Sequence, residues 1–235
     1  MEETVSLKQI KYFGGIGHIL ILLGWLLIPL LTFLPEFFPS LWSLYSWFFV
    51  AIPALPCILG GTGLSALAFK KLAGVTLKKE IFRDYLFSLL FWGIGIIIFP
   101  ACFFLPPFVL ISLVVGFIVL IIIGIIGSLI SLSDLPGSQS GLFYPWFLGS
   151  LVTGILFSFG FFLVSGKFLR KCFQQIAQET GIKLFETTGK IYFLGASLTI
   201  ILLGFLIEFI SLVLTSFAFF SLPDSLSGKK IFSLA

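Results

Sequence analysis

Apolar positions along this chain of 235 residues gather into six long runs, at 16–34, 41–69, 85–105, 108–131, 146–165 and 191–222. Each is near or above the roughly 20 residues that a helix needs to cross hydrocarbon. Two polar stretches of substance separate them, 70–84 and 167–190, while the links at 35–40, 106–107 and 132–145 are uncharged or weakly acidic. An outer-membrane barrel would show alternating strands of about ten residues, and none are visible. The pattern predicts an all-α fold: a polytopic helical membrane protein, with residues 1–235 as one helical-bundle domain.

Composition strengthens that expectation. The chain is 59% hydrophobic and 10% charged, whereas a soluble domain carries about a quarter charged residues to face water. The first run is too long for a secretory signal and is followed by no small-residue cleavage site, so we expect a retained first helix. Cys57, Cys102 and Cys172 show no C-x-x-C spacing, which argues against a disulfide framework or metal site. No cofactor motif is apparent. The net charge of +4 comes from basic residues flanking apolar runs, a pattern suited to anionic lipid headgroups and not to nucleic acid.

Basic residues also predict orientation. Lys70, Lys71, Lys78, Lys79 and Arg83 fill the first polar stretch, and Lys167, Arg170, Lys171, Lys183 and Lys190 fill the second. The positive-inside rule places both, with the amino terminus, in the cytoplasm of a cell whose inner membrane holds the chain. Six plain crossings would put the second stretch outside. Tyr12-Phe13, Gly15 and Ile21-Leu22-Leu23-Gly24 recur 180 positions later as Tyr192-Phe193, Gly195 and Ile201-Leu202-Leu203-Gly204, which suggests two helices entering from the same side. The block 85–131, interrupted by Pro100, Pro106 and Pro107, would then cross an odd number of times. The preferred expectation is five full crossings plus one broken or re-entrant segment, with six plain crossings as the alternative. Trp42, Tyr45, Trp47, Tyr144 and Trp146 suit an interfacial belt on the face without basic residues.

Few residues could carry chemistry. Glu208 is the one ionisable group deep in an apolar run, and an intramembrane carboxylate is a functional candidate by default. It shares a helical face with Ser197, Gly204, Ser211, Thr215 and Ala218, which makes Glu208, Ser211, Thr215 and Ser197 a candidate polar site for a proton or cation. The competing view is a protonated glutamic acid bonded to a neighbouring helix. Small residues at four-residue spacing, such as Ser150, Gly154 and Ser158, mark close helix packing. Gly60-Gly61-Thr62-Gly63 lacks the Lys-Ser/Thr pair of a phosphate loop and reads as packing, or as a kink with Pro53 and Pro56. His18 has no partners in sequence for a metal site. Phe168, Leu169, Cys172, Phe173, Ile176 and Ala177 recur at helical spacing opposite Arg170 and Lys171, with Gly181 as a stop. This predicts a cytoplasmic amphipathic helix along the membrane surface, with Lys167, Arg170 and Lys171 contacting lipid or a docking partner.

At Phe168-Leu169-Arg170-Lys171, Ile176-Ala177, Glu179-Thr180-Gly181, Lys183-Leu184-Phe185, Thr188-Gly189, Tyr192, Gly195-Ala196, Leu198-Thr199-Ile200 and Phe219-Phe220-Ser221-Leu222-Pro223, the chain resembles domain-of-unknown-function family 996. The opening Gly14-Gly15-Ile16-Gly17 fits as well. The resemblance implies a prokaryotic integral membrane protein and supplies no catalytic residues. With no nucleophile–base set, we expect a non-catalytic membrane protein, a small subunit or scaffold joined to partner membrane proteins or to copies of itself. The alternative is a small transporter or channel built on Glu208. The chain should leave membranes only with detergent; recovery of folded protein in plain buffer would reject the whole reading.

Overall fold

The computed structural model describes residues 5–37, 46–104, 111, 114–115, 118–119, 121–122, 143–199 and 203–226. Its helices are α1 (Lys8–Phe37), α2 (Ser46–Val75), α3 (Lys79–Phe104), α4 (Phe143–Thr180), α5 (Lys183–Leu198) and α6 (Leu203–Phe220). Two strands of two residues each, β1 (Val5–Ser6) and β2 (Ser225–Leu226), pair antiparallel. Among the described residues, four helical stretches are long and apolar enough to cross a membrane: Lys8–Ile28, Lys79–Ile98, Phe147–Thr180 and Leu203–Phe220.

Among these described helices each runs antiparallel to the one that follows, and α6 returns to α1, so the six form a ring. Small residues set the approach. Gly17 of α1 lies so close to α2 that an added Cβ would sit 2.6 Å from Ser65 Oγ and 2.8 Å from the Gly61 carbonyl oxygen. Between α3 and α4, Ser158 Oγ donates to the Gly95 carbonyl at 2.8 Å, and Ser165 Oγ to that of Ser88 at 2.9 Å. Gly166 meets Ala196 and Gly189 meets Phe173 where α4 packs on α5. Ser211 Oγ of α6 donates to the Thr188 carbonyl of α5 at 3.4 Å. Gly14 and Gly15 receive the rings of Phe219 and Phe220, closing α6 on α1. Leu7 N then donates to the Asp224 carbonyl at 2.9 Å, holding the two strands at one end of the bundle.

The core lies at that same end, where the basic residues also fall. Phe69, Phe173, Phe185 and Phe219 are fully buried beside Leu7, Leu72, Ile81, Ile176 and Leu222. Phe69 stacks on Tyr85 at 4.0 Å between centroids, and Phe219 meets Phe69 and Phe185 edge-on at 5.4 and 5.2 Å. Ion pairs surround this cluster. Glu179 lies 2.9 Å from Lys78 Nζ and holds that ammonium above its ordinary pKa.

Two expectations change. The run 191–222 is two helices, because the chain breaks between α5 and α6 and doubles back with Gly195 against Gly204. A glycine pair that lets two backbones touch makes this reversal possible without any proline. The described helices alternate in direction, both basic stretches share one end, and α1 and α5 run parallel, as the repeat suggests; the number of crossings turns on 105–142, most of which lies outside the described residues. The amphipathic stretch is likewise no separate surface helix. It is the last third of α4, and its apolar side (Leu169, Cys172, Phe173 and Ile176) is buried in the core. Gly181 does end it, at φ +74°, with its N–H on the Ala177 carbonyl at 2.9 Å. The interruption at Pro106 and Pro107 lies outside the described residues, as do Trp42 and Tyr45 of the predicted aromatic belt.

The glycine contacts predict a contrast. Gly17→Ala drives a methyl into the α2 backbone, and such overpacking costs about 1–3 kcal/mol. Gly60→Ala points into open space and should leave the thermal midpoint unchanged or higher, since alanine favours helix over glycine. Equal midpoints for the two variants would contradict the close α1–α2 approach.

Candidate functional site

Inside the ring, next to the aromatic cluster, is a cavity of about 250 Å³. Every helix contributes to its wall: His18 and Trp25 from α1, Thr62 from α2, Tyr85, Ser88 and Trp92 from α3, Phe162 from α4, Tyr192 from α5, and Phe205, Glu208 and Phe209 from α6. His18 and Tyr85 form its base, His18 stacking on Phe219 at 5.5 Å and Tyr85 on Phe69. Trp25 and Trp92 meet edge to face at 5.9 Å and 84°.

Glu208 is the one carboxylate in this wall. It stands eleven residues before Phe219, so the helical rise sets it roughly 16 Å from the cluster. Gly195 of α5 leaves room for it, because an added Cβ there would meet Glu208 Cγ at 2.8 Å. Its hydrogen bonding is thin. Thr199 Oγ1 is 3.4 Å from Oε1, but that hydroxyl has one proton and lies closer, at 3.0 Å, to the Gly195 carbonyl.

The other predicted polar residues are not gathered around it. Ser211 and Thr215 face the seams with neighbouring helices, Thr215 Oγ1 donating to the Ser211 carbonyl at 2.8 Å. Ser197 lies across the break on α5 and donates to the Phe193 carbonyl at 2.8 Å. Gly61 of the glycine-rich run packs on α1, while Gly60 and Gly63 face open space. His18 is buried, and its Nδ1–H donates to the Gly14 carbonyl at 2.8 Å, since a carbonyl can only accept. Ser65 Oγ is 3.2 Å from the same nitrogen.

Of the three basic candidates, Lys167 is exposed, and Arg170 lies over the Phe193 ring at 5.4 Å. Lys171 Nζ is 3.1 Å from Oδ2 of Asp84, a carboxylate only 1% exposed that Arg83 also reaches at 3.4 Å. Sequence reasoning missed Asp84 by counting it with the polar stretch 70–84. Its register could have found it: Ile81, Asp84, Tyr85 and Ser88 are all buried at the i, i+3, i+4, i+7 spacing of one helix face. Tyr85, Tyr192, Trp25 and Trp92 were missed as well, since aromatics in apolar runs carry no mark of a cavity.

Residues 57–213, more than half of the chain, match a family described as "Protein of unknown function (DUF996)". The chain belongs to this family. An uncharacterised protein of Methanocaldococcus jannaschii is 25% identical over 225 residues, covering 96% of this chain and 98% of that one. No solved structure matches.

A carboxylate with so few donors should cost stability. Glu208→Gln is therefore expected to leave the thermal midpoint unchanged or raise it by a few degrees, about 1 kcal/mol in a chain this size. A clear fall in midpoint would identify Glu208 as a structural hydrogen-bond partner.

Proposed function

We propose that this is a non-catalytic integral membrane protein that carries a small solute, with the cavity at Glu208 as its binding site. One observation supports the reading most: a half-buried carboxylate, short of partners, opens into a space walled by all six helices. Intramembrane carboxylates are costly and concentrate on substrate and ion pathways. The subunit or scaffold role rested on the lack of a nucleophile–base set, metal cluster or cofactor motif and on small-residue packing faces. Gly17, Gly61, Gly166 and Gly189 meet helices of the same chain, while Gly60, Gly63, Gly93 and Gly160 face open space.

In this proposal the bundle lies in the prokaryotic cell membrane, with the long apolar helices α1, α3, α4 and α6 crossing it. The end bearing Lys70, Lys71, Lys78, Lys167, Arg170 and Lys171 is cytoplasmic, in contact with anionic headgroups. The aromatic cluster then seals the cavity from the cytoplasm. A carrier in this state must loosen that cluster to release solute inside, so the ion pairs Lys171–Asp84 and Lys78–Glu179, which tie α3 and the turn before it to α4, would move with it.

Cysteine labelling in lipid nanodiscs tests the site. With the native cysteines replaced by serine, Thr62→Cys should react with a charged, water-soluble methanethiosulfonate reagent. Ser65→Cys, three residues on and fully buried, should not. If Thr62→Cys proves as inert as Ser65→Cys, no water path reaches the cavity and the carrier reading fails.

A further inference from the structure

The chemistry of the cavity wall narrows what it can hold. Among the described residues the ion pairs engage Asp84, Glu179, Glu186 and Asp224, and none involves Glu208. An ionised Glu208 would therefore take its counter-charge from the occupant. A small metal ion is a poor match, because hard cations want about six oxygen ligands. Glu208 is the one carboxylate in the wall, and the rest of the lining is mostly aromatic and aliphatic. An anion would meet the carboxylate head-on. A neutral apolar molecule would suit the walls but leave Glu208 unpaired.

The walls themselves favour positive charge. Trp25, Trp92, Tyr85 and Tyr192 surround the space, and ring faces attract a cation most strongly when water is excluded. The edge-to-face Trp25–Trp92 pair fixes both rings at the depth of Glu208. The cavity, about 250 Å³, falls just below the roughly 300–1,000 Å³ of drug-sized sites, so its ligand is smaller than a typical drug.

We infer that the cavity recognises a small organic cation with an aromatic or branched alkyl body, its charge on the Glu208 carboxylate and its body among Trp25, Trp92, Tyr85 and Tyr192. This rests on the cavity being the solute site. Benzyltrimethylammonium is a suitable probe, because it carries a permanent charge and donates no proton. Its uncharged isostere, neopentylbenzene, has carbon in place of the nitrogen, and phenylmethanesulfonate supplies the opposite charge.

The rate of Thr62→Cys modification in nanodiscs, by a small uncharged thiol reagent, reads occupancy with each probe. Benzyltrimethylammonium should protect at concentrations about tenfold or more below those of neopentylbenzene, and phenylmethanesulfonate should not protect. Glu208→Gln should erase the preference for the cation, while Glu208→Asp keeps it. Equal protection by the two isosteres, a preference that survives Glu208→Gln, or protection by none of the probes would overturn the organic-cation assignment and leave the cavity a water-reached site. Failure of Thr62→Cys to react even without ligand would instead remove the site itself.

Discussion

If this bundle lies in lipid, as proposed, its helices gain nothing from hiding apolar surface from one another, since acyl chains are as apolar as leucine; what joins them is contact. In this bundle the contact that all other features lean on is the ring cluster at the basic end. Phe69, Tyr85, Phe173, Phe185 and Phe219 come from α2, α3, α4, α5 and α6, and His18 of α1 stacks on the last of them. Edge-to-face and stacked aromatic pairs contribute about 0.5–1.5 kcal/mol each beyond their burial. Five rings meeting at one place therefore fix all the helix ends relative to each other. Glycine then lets the backbones draw together along the seams, and the ring is closed.

That arrangement has a second effect half-way along the bundle. Helices pinned together at one end by large rings, and spaced further up by Trp25, Trp92, Phe162 and Phe209, leave a central space instead of a packed axis. Glu208 faces this space from α6, where Gly195 removes the side chain that would otherwise occupy its position. The hairpin of α5 and α6 thus does two jobs with one pair of glycines. Gly204 lets the chain reverse closely, and Gly195 lets the carboxylate turn inward.

Much of this was legible in advance. Helical class, the segregation of basic residues to one end, the stop at Gly181 and the singular position of Glu208 follow from run length, charge and spacing. The split within 191–222 was not, because an unbroken apolar run has the same composition whether it crosses once or folds back. Nor was the burial of the amphipathic face of α4: Leu169, Cys172, Phe173 and Ile176 have the periodicity of a surface-lying helix, and only tertiary contact shows that other helices cover them. Asp84 was hidden by its basic neighbours. The polar candidates Ser211, Thr215 and Ser197 lay on the expected faces, but hydroxyls in apolar helices commonly bond their own backbone, and these three bond main-chain carbonyls, in α5 or in their own helix.

The seam between α1 and α6 also orders events in time. A ribosome delivers α1 long before α6, and domains generally form from the amino-terminal end as they are made. The face of α1 that carries Gly14, Gly15 and His18 must wait, uncovered, while about 190 further residues are synthesised. Only when Phe219 and Phe220 arrive is that groove filled and the central chamber enclosed. Truncation just before α6 would leave the described bundle open along that side of α1.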